Sequence, residues 1–308
     1  MFKPGKSVEI KAPAKVNLFL EVCGRRPDGY HDLESIFQAI SIYDNLVISA
    51  EPGQGIDLSC SIGELQTSSN LAYRAAEAFL KTAGVQARIG IRLEKTIPMQ
   101  AGLGGGSSDA AAVLVALNEL AAYPFSGDEL RTIAAGIGSD VPFFVDGGTA
   151  LVEGRGEKVT PIDNAGKLYF VVLYPGFGVS TAQVYKNLRL NLTKKVNFAN
   201  LLSSALSRGN LGEAQNYFFN RLEETAFALD ERLSKIRAVM QSRLNGAQVL
   251  LCGSGASLFS AFPVQKIAFG GYKVLKEASA GLVFFAESIR GRRRAATLKG
   301  DGRGYQRR

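Results

Sequence analysis

A single histidine, His31, stands in 308 residues. That excludes mechanisms built on a histidine cluster, such as a two-histidine zinc helix. Cysteine is almost as scarce. Cys23, Cys60 and Cys252 are far apart and odd in number, so they supply neither metal-ligand spacing nor a disulfide framework, and reduced thiols are expected. No apolar stretch approaches the ~18 residues a membrane span needs. The N-terminal residues include Lys3 and Lys6 but no apolar core segment, and no Arg- and Ser-rich transit character. Neither a signal nor a transit peptide is read there, and a bacterial cytoplasmic location is expected. The H-R-D and D-F-G motifs of protein kinases and the G-x-S-x-G elbow of hydrolases are also missing.

Positive charge is abundant overall but not where a nucleic-acid binder would need it. The net charge is +8, and residues 290–308 alone hold eight basic side chains against Asp301. The body is therefore close to neutral. Nucleic-acid binding through this tail, by nonspecific phosphate contacts, is the one reading from a different class. The tail has few apolar residues and four glycines, so we expect it to be disordered.

Along the chain, residues 8–11 and 16–20 alternate with period two, interrupted by Pro13, which suits an edge or a bend. Residues 45–50 and 88–93 also read as strands. Between them Leu71, Ala72, Ala75, Ala76, Phe79 and Leu80 recur at helical spacing, with Gly84 as a stop. Ser126 to Glu129 is a capping box opening another helix. Residues 141–159 read as short strands between glycine turns, 168–174 as a strong strand, and 181–244 as mostly helical. Strands at 249–251, 258–262 and 282–285 and a helix near 264–280 follow. This is an α+β order, not an alternating doubly wound one. Three parts are expected: residues 1–165 as an ATP-binding domain, 166–289 as a second domain, and 290–308 as the tail.

The segment Pro98-Met99-Gln100-Ala101-Gly102-Leu103-Gly104-Gly105-Gly106-Ser107-Ser108 runs into an apolar helix. Glycines let a backbone approach phosphate oxygens, and the helix N-terminus adds partial positive charge. Ser107 or Ser108 is placed to cap that helix while donating a hydroxyl. The stretch fits neither a P-loop nor a dinucleotide fingerprint. A tight loop leading into a helix, with no ligand, is the alternative.

Several separated segments together resemble one family. Ala12-Pro13-Ala14-Lys15-Val16-Asn17-Leu18, the glycine segment, and Cys252-Gly253-Ser254-Gly255-Ala256-Ser257 resemble the three signatures of the galactokinase–homoserine kinase–mevalonate kinase–phosphomevalonate kinase superfamily. Arg25 to His31, Ser139 to Phe144, and Pro175 to Tyr185 narrow the likeness to the branch acting on a cytidylylated methylerythritol. The resemblance covers roughly residues 8–286. It implies a two-domain fold with the active site in the interdomain cleft. ATP would phosphorylate the 2-hydroxyl of that alcohol, in non-mevalonate isoprenoid synthesis. A kinase for another small alcohol of the superfamily is the alternative.

The resemblance also assigns residues. Asp140 would accept the hydroxyl proton, or merely position the acceptor; from its neighbours alone it reads as a turn or cap. Lys15 would sit beside the same hydroxyl and offset charge on the transferring group; otherwise it is a solvated strand lysine. Tyr30 and Tyr185 would sandwich the cytosine while His31 reads its edges, with half-buried packing as the alternative. Asn17 and Thr181 are further substrate candidates. Residues 253–255 would shape the cleft floor near the phosphates, or form a bare turn. Pro98 through Ser108 would hold the nucleotide. Mg2+ is implied by ATP chemistry; Ser108 is a candidate ligand, and no carboxylate ligand is named. A monomer or weak homodimer is expected.

Overall fold

In the computed structural model, which describes residues 2, 5–163, 165–189, 197–279 and 281–292, the chain opens on two very long strands. β1 (Lys6–Arg25) and β2 (His31–Glu51) pair antiparallel over nearly their whole lengths. Pro13 does not interrupt β1. It stays paired with Tyr43, and a register shift at Pro13/Ala14 absorbs the missing N–H as a bulge. After β3 (Gly55–Cys60) comes a 3₁₀ turn, Gly63–Leu65, and then α1 (Leu71–Ala83). Asn70 caps α1 at the Ala72 N–H, and Gly84 ends it with φ +63°, the left-handed stop the sequence signals.

β4 (Arg88–Glu94) leads to the glycine segment and α2 (Gly105–Leu120), which is buried along most of its length. α3 (Gly127–Ala135) begins with both hydrogen bonds of the Ser126–Glu129 capping box. Next is α4 (Val141–Asp146), where the sequence reading has a strand. Val141 through Val145 are all buried, and a short run buried on every side carries no period to separate helix from strand. Pro142 at the start and Gly147 (φ +69°) at the end bound the helix. β5 (Thr149–Gly154) and β6 (Lys158–Pro161) complete the first half.

The second half holds β7 (Tyr169–Tyr174), α5 (Thr181–Asn187), α6 (Phe198–Ser207), α7 (Leu211–Gln215), β8 (Phe219–Asn220), α8 (Glu223–Leu229), α9 (Glu231–Arg243), β9 (Leu250–Leu251), β10 (Leu258–Phe262), α10 (Gln265–Ala278) and β11 (Leu282–Glu287). The first sheet runs β3-β4-β2-β1-β8, with β5 on the other half of β2's edge and β6 beyond it. The second sheet runs β11-β7-β10-β9, antiparallel throughout.

Residue 165 falls between the two sheets, yet one core crosses it. Val16, Leu18 and Ile36 of the first sheet pack in a cluster with Phe170, Val172 and Phe259 of the second. β8, from the second half, pairs in parallel with β1. The chain also returns to the first half at its end. The Ile289 N–H donates to Ala39 O (3.0 Å) and the Arg292 N–H to Asp146 O (2.8 Å). The body therefore extends through Arg292, past the expected tail start at 290. Residues 293–308 lie outside the described residues.

Candidate active site

Lys15 and Asn17 are two apart on β1, so both side chains leave the same face. Both are buried. The Lys15 Nζ donates to Asn17 Oδ1 (2.8 Å) and lies 4.7 Å from the centre of the Phe37 ring. Asn17 Nδ2 donates in turn to Ser35 Oγ (3.0 Å), whose hydroxyl donates to Phe19 O. The lysine is thus aimed from beneath and is not a solvated strand residue.

Asp140 occupies the N-cap position of α4, but its carboxylate makes no capping hydrogen bond. Instead Oδ2 faces Lys15 Nζ at 3.7 Å, with about one-third of the side chain exposed. Lys15 and Asp140 are 125 positions apart in the sequence and share one cavity.

The glycine loop crosses that cavity under tight constraint. A Cβ on Gly102 (φ +75°) would lie 1.8 Å from the Cys252 carbonyl oxygen. One on Gly104 (φ +73°) would meet the Phe144 ring at 2.9 Å and Lys15 Cγ at 3.2 Å. Backbone bonds hold the loop from both halves: Lys15 N–H to Leu103 O (2.9 Å), Ala256 N–H to Gln100 O (3.3 Å) and Ser257 N–H to Ala101 O (3.1 Å). Gly104 is itself the N-cap of α2, with no side-chain cap, so neither Ser107 nor Ser108 caps the helix. The uncapped first-turn N–H groups and the positive helix end make an anion site, and Gly105, Gly106 and Ser107 line the cavity there.

Ser108 is buried, its Oγ has no partner, and it is not among the cavity-lining residues, whereas Ser107 is. No three His, Cys, Asp or Glu side chains gather into a metal cage among the described residues. Ser107 Oγ at the anion site fits a hard cation that arrives with phosphates and water as its main ligands. Ser108 does not fit that role.

The cavity measures about 1320 Å³, above the usual range for one small ligand, so two can be held side by side. Its lining includes Leu65, Ser69, Asn70 and Leu71, which the sequence reading leaves out. The lining also holds an aromatic group, Tyr30, His31 and Tyr185. His31 and Tyr185 contact each other there, with ring centres 5.1 Å apart and planes at 31°. Tyr30 is 52% exposed and lies 5.4 Å from the Arg155 guanidinium. A base sandwiched between Tyr30 and Tyr185 therefore has to enter beside, or part, the His31–Tyr185 pair. Burial, together with Arg25, lowers the His31 pKa below its usual value, so the ring is neutral at pH 7. Burial, and then Asp140, raises that of the Tyr185 phenol.

Residues 253–255 lie against the catalytic candidates. A Cβ on Gly253 would sit 3.4 Å from Lys15 Nζ, and the Ser254 hydroxyl pairs with that of Thr181 at 2.7 Å. Asn220 fastens this loop by donating to Leu251 O (2.9 Å) and Gly253 O (2.8 Å). Its signal in the sequence is one amide between helical stretches, too little to single it out.

Sequence reasoning also missed Asp44, Lys95 and Asp109, whose side chains are 0%, 4% and 2% exposed. Lys95 Nζ donates to Asp44 Oδ2 (2.5 Å) and Asp109 Oδ2 (2.7 Å). Burial pushes the Asp109 carboxyl up to about 7 despite the ammonium. An ionisable residue inside the apolar β2 pattern, Asp44, is the signal that points toward this cluster.

Comparisons with known proteins agree with this layout. Residues 70–148, which contain the glycine loop, α2 and Asp140, match the family described as GHMP kinases N terminal domain. A protein of Desulfitobacterium hafniense (strain Y51) named 4-diphosphocytidyl-2-C-methyl-D-erythritol kinase is 40% identical over 256 residues, covering 82% of this chain and 86% of its own. A crystal structure of 4-(cytidine 5'-diphospho)-2C-methyl-D-erythritol kinase superposes with a TM-score of 0.76 at 36% identity, over 92% of this chain and 100% of the other. The homoserine kinase from Cytophaga hutchinsonii, at 18% identity, shares the fold with a TM-score of 0.73 over 94% of this chain and 97% of its own.

Proposed function

The chain belongs to the 4-diphosphocytidyl-2-C-methyl-D-erythritol kinase family, and from that premise we propose that it transfers the γ-phosphoryl group of ATP to the 2-hydroxyl of 4-diphosphocytidyl-2-C-methyl-D-erythritol, releasing ADP in the non-mevalonate route to isoprenoids. The observation that carries this reading is the Lys15–Asp140 pair in one cavity with the glycine loop.

In this mechanism the N–H groups at the start of α2 receive the phosphates, and Pro98 through Ser107 wrap the nucleotide. Asp140 accepts the proton of the 2-hydroxyl as that oxygen bonds to the γ-phosphorus. The bond from the γ-phosphorus to the β–γ bridging oxygen breaks, and ADP leaves with that oxygen. Lys15, held by Asn17, offsets charge on the transferring group from a buried position, where electrostatic stabilisation is strongest. Asn17 and Thr181 contact the alcohol. Tyr30, His31 and Tyr185 take the cytosine, and a neutral imidazole offers one donor and one acceptor to its edge. Mg2+ bound with ATP would be held by Ser107 together with the nucleotide's own phosphates, and would neutralise part of their charge.

No helix among the described residues is long and apolar enough to cross a membrane. We place the enzyme in the bacterial cytoplasm, where ATP is available, as a monomer or weak homodimer. The test is ATP consumption against the cytidylylated alcohol, the same alcohol phosphate without cytidylyl, homoserine and mevalonate. Turnover only with the first supports the reading; preference for another alcohol overturns the substrate assignment.

A further inference from the structure

We infer that Lys95, clasped by Asp44 and Asp109, is a positioning residue for the nucleotide: it sets the turn at which α2 begins, and so the aim of the phosphate-facing N–H groups. The inference deepens the kinase reading, on which it rests for the identity of the ligand at the loop.

Three elements meet at one ammonium. Asp44 comes from β2, Lys95 directly follows β4, and Asp109 lies in the first turns of α2. Asp44 does more than pair with the lysine. Its other oxygen accepts the Thr96 N–H (2.6 Å) and the Ile97 N–H (2.8 Å), which fastens the backbone that leads into the glycine loop. On the far side, a Cβ on Gly105 would lie 3.2 Å from Lys95 Nζ and 3.0 Å from Ile97 Cγ2. The ammonium therefore sits against the first residue of the helix. Both Lys95 and Asp109 line the cavity at this point.

A positioning role explains why such a costly group is buried here. An ammonium near a helix N-terminus faces the positive end of the helix dipole, which disfavours it. Two carboxylates offset that, but a buried ionic cluster generally stabilises a fold no better than well-packed apolar side chains would. What the cluster supplies is fixed geometry: one cation with two directed partners holds β2, the loop approach and α2 in a single register.

The experiment measures binding of a non-hydrolysable ATP analogue with Mg2+ by calorimetry, alongside steady-state constants and melting curves, on the full chain. Lys95→Met should weaken analogue binding on the order of 10²-fold, the usual penalty for misplacing groups by about 1 Å. KM for ATP should rise in step, while KM for the alcohol moves far less. Turnover at saturating ATP should stay within about threefold of wild type, because the defect lies in nucleotide placement; general loosening of the fold would lower kcat and raise both KM values together. A folded Lys95→Met enzyme with analogue affinity within twofold of wild type overturns the inference. So does a KM for the alcohol that rises as much as the KM for ATP. If Lys95→Met does not fold, Lys95→Arg keeps the charge but moves it; it should bind the analogue about tenfold more weakly, and wild-type affinity there is equally decisive against the role. Wild-type protein that binds the analogue but phosphorylates no alcohol would sink the kinase reading while leaving this inference intact.

Discussion

Replacing Gly102 with alanine tests whether the glycine loop is shaped by its contact with the second half of the molecule. The added Cβ would lie 1.8 Å from the Cys252 carbonyl oxygen, so that carbonyl or the loop has to retreat by more than about 1 Å. Alanine at φ +75° adds strain of about 1–2 kcal/mol. The retreat also pulls on two cross-links, Ala256 N–H to Gln100 O and Ser257 N–H to Ala101 O, each worth about 0.5–1.5 kcal/mol. The total is roughly 2–5 kcal/mol, which lowers Tm by several degrees in a chain of this size. Gly106→Ala is the stability control. Its Cβ would meet only Leu71 Cδ1, at an ordinary 3.7 Å, and glycine within a helix carries an entropic penalty. Its Tm should hold or rise. Differential scanning calorimetry reads both variants, and titration with an ATP analogue reads the loop directly. Gly102→Ala with wild-type Tm and wild-type nucleotide affinity would refute the reasoning.

Asp140→Asn should leave ATP binding nearly intact and lower kcat by a factor on the order of 10² to 10⁴, as general-base loss does; near-normal turnover would remove Asp140 from the chemistry. Tyr185→Ala should weaken the cytidylylated substrate roughly 2- to 10-fold, the worth of one aromatic stack, and hardly change the uncytidylylated one in a side-by-side kinetic comparison. Affinity for the cytidylylated substrate should stay flat above pH 6.5 and fall only as the pH drops further, because burial and Arg25 hold the His31 pKa below its usual value and proton uptake comes late. The same shift takes stability away as the pH falls below 6.5, where the unfolded chain gains the proton first; His31→Gln should flatten both profiles. Deleting residues 293–308 should cost little Tm, whereas deletion from Ser288 also removes the bonds to Leu168, Ala39 and Asp146 and should lower Tm measurably.

Local signals in the chain translate directly into structure where neighbours in sequence are also neighbours in space. The Ser126–Glu129 capping box and the Gly84 stop act within a few residues and both are found, whereas the helix that the glycine segment feeds begins inside that segment, at Gly105. α4 was misread because its buried run has no period, and Pro142 at a helix start looks the same on paper as a turn. β8 is two residues long and exists only because β1 offers it an edge, so no local pattern announces it.

The site divides along the same line. Lys15, Asn17, the glycine loop, Asp140, Gly253 and Ser254 stand in short contiguous motifs through which the family resemblance names them, and the fold brings them around one cavity. Which hydroxyl of the Ser107–Ser108 pair reaches that cavity depends on where α2 starts, and a start at Gly105 selects Ser107. The Asp44–Lys95–Asp109 clasp joins residues 51 and 14 positions apart, and the His31–Tyr185 contact joins residues from different halves of the chain. The sequence by itself determined the glycine loop and, through the family its motifs resemble, the chemistry that loop serves. Only tertiary packing decided which side chains face one another, because burial, charge pairing and the room for a single Cβ are properties of the space between elements and not of any one segment.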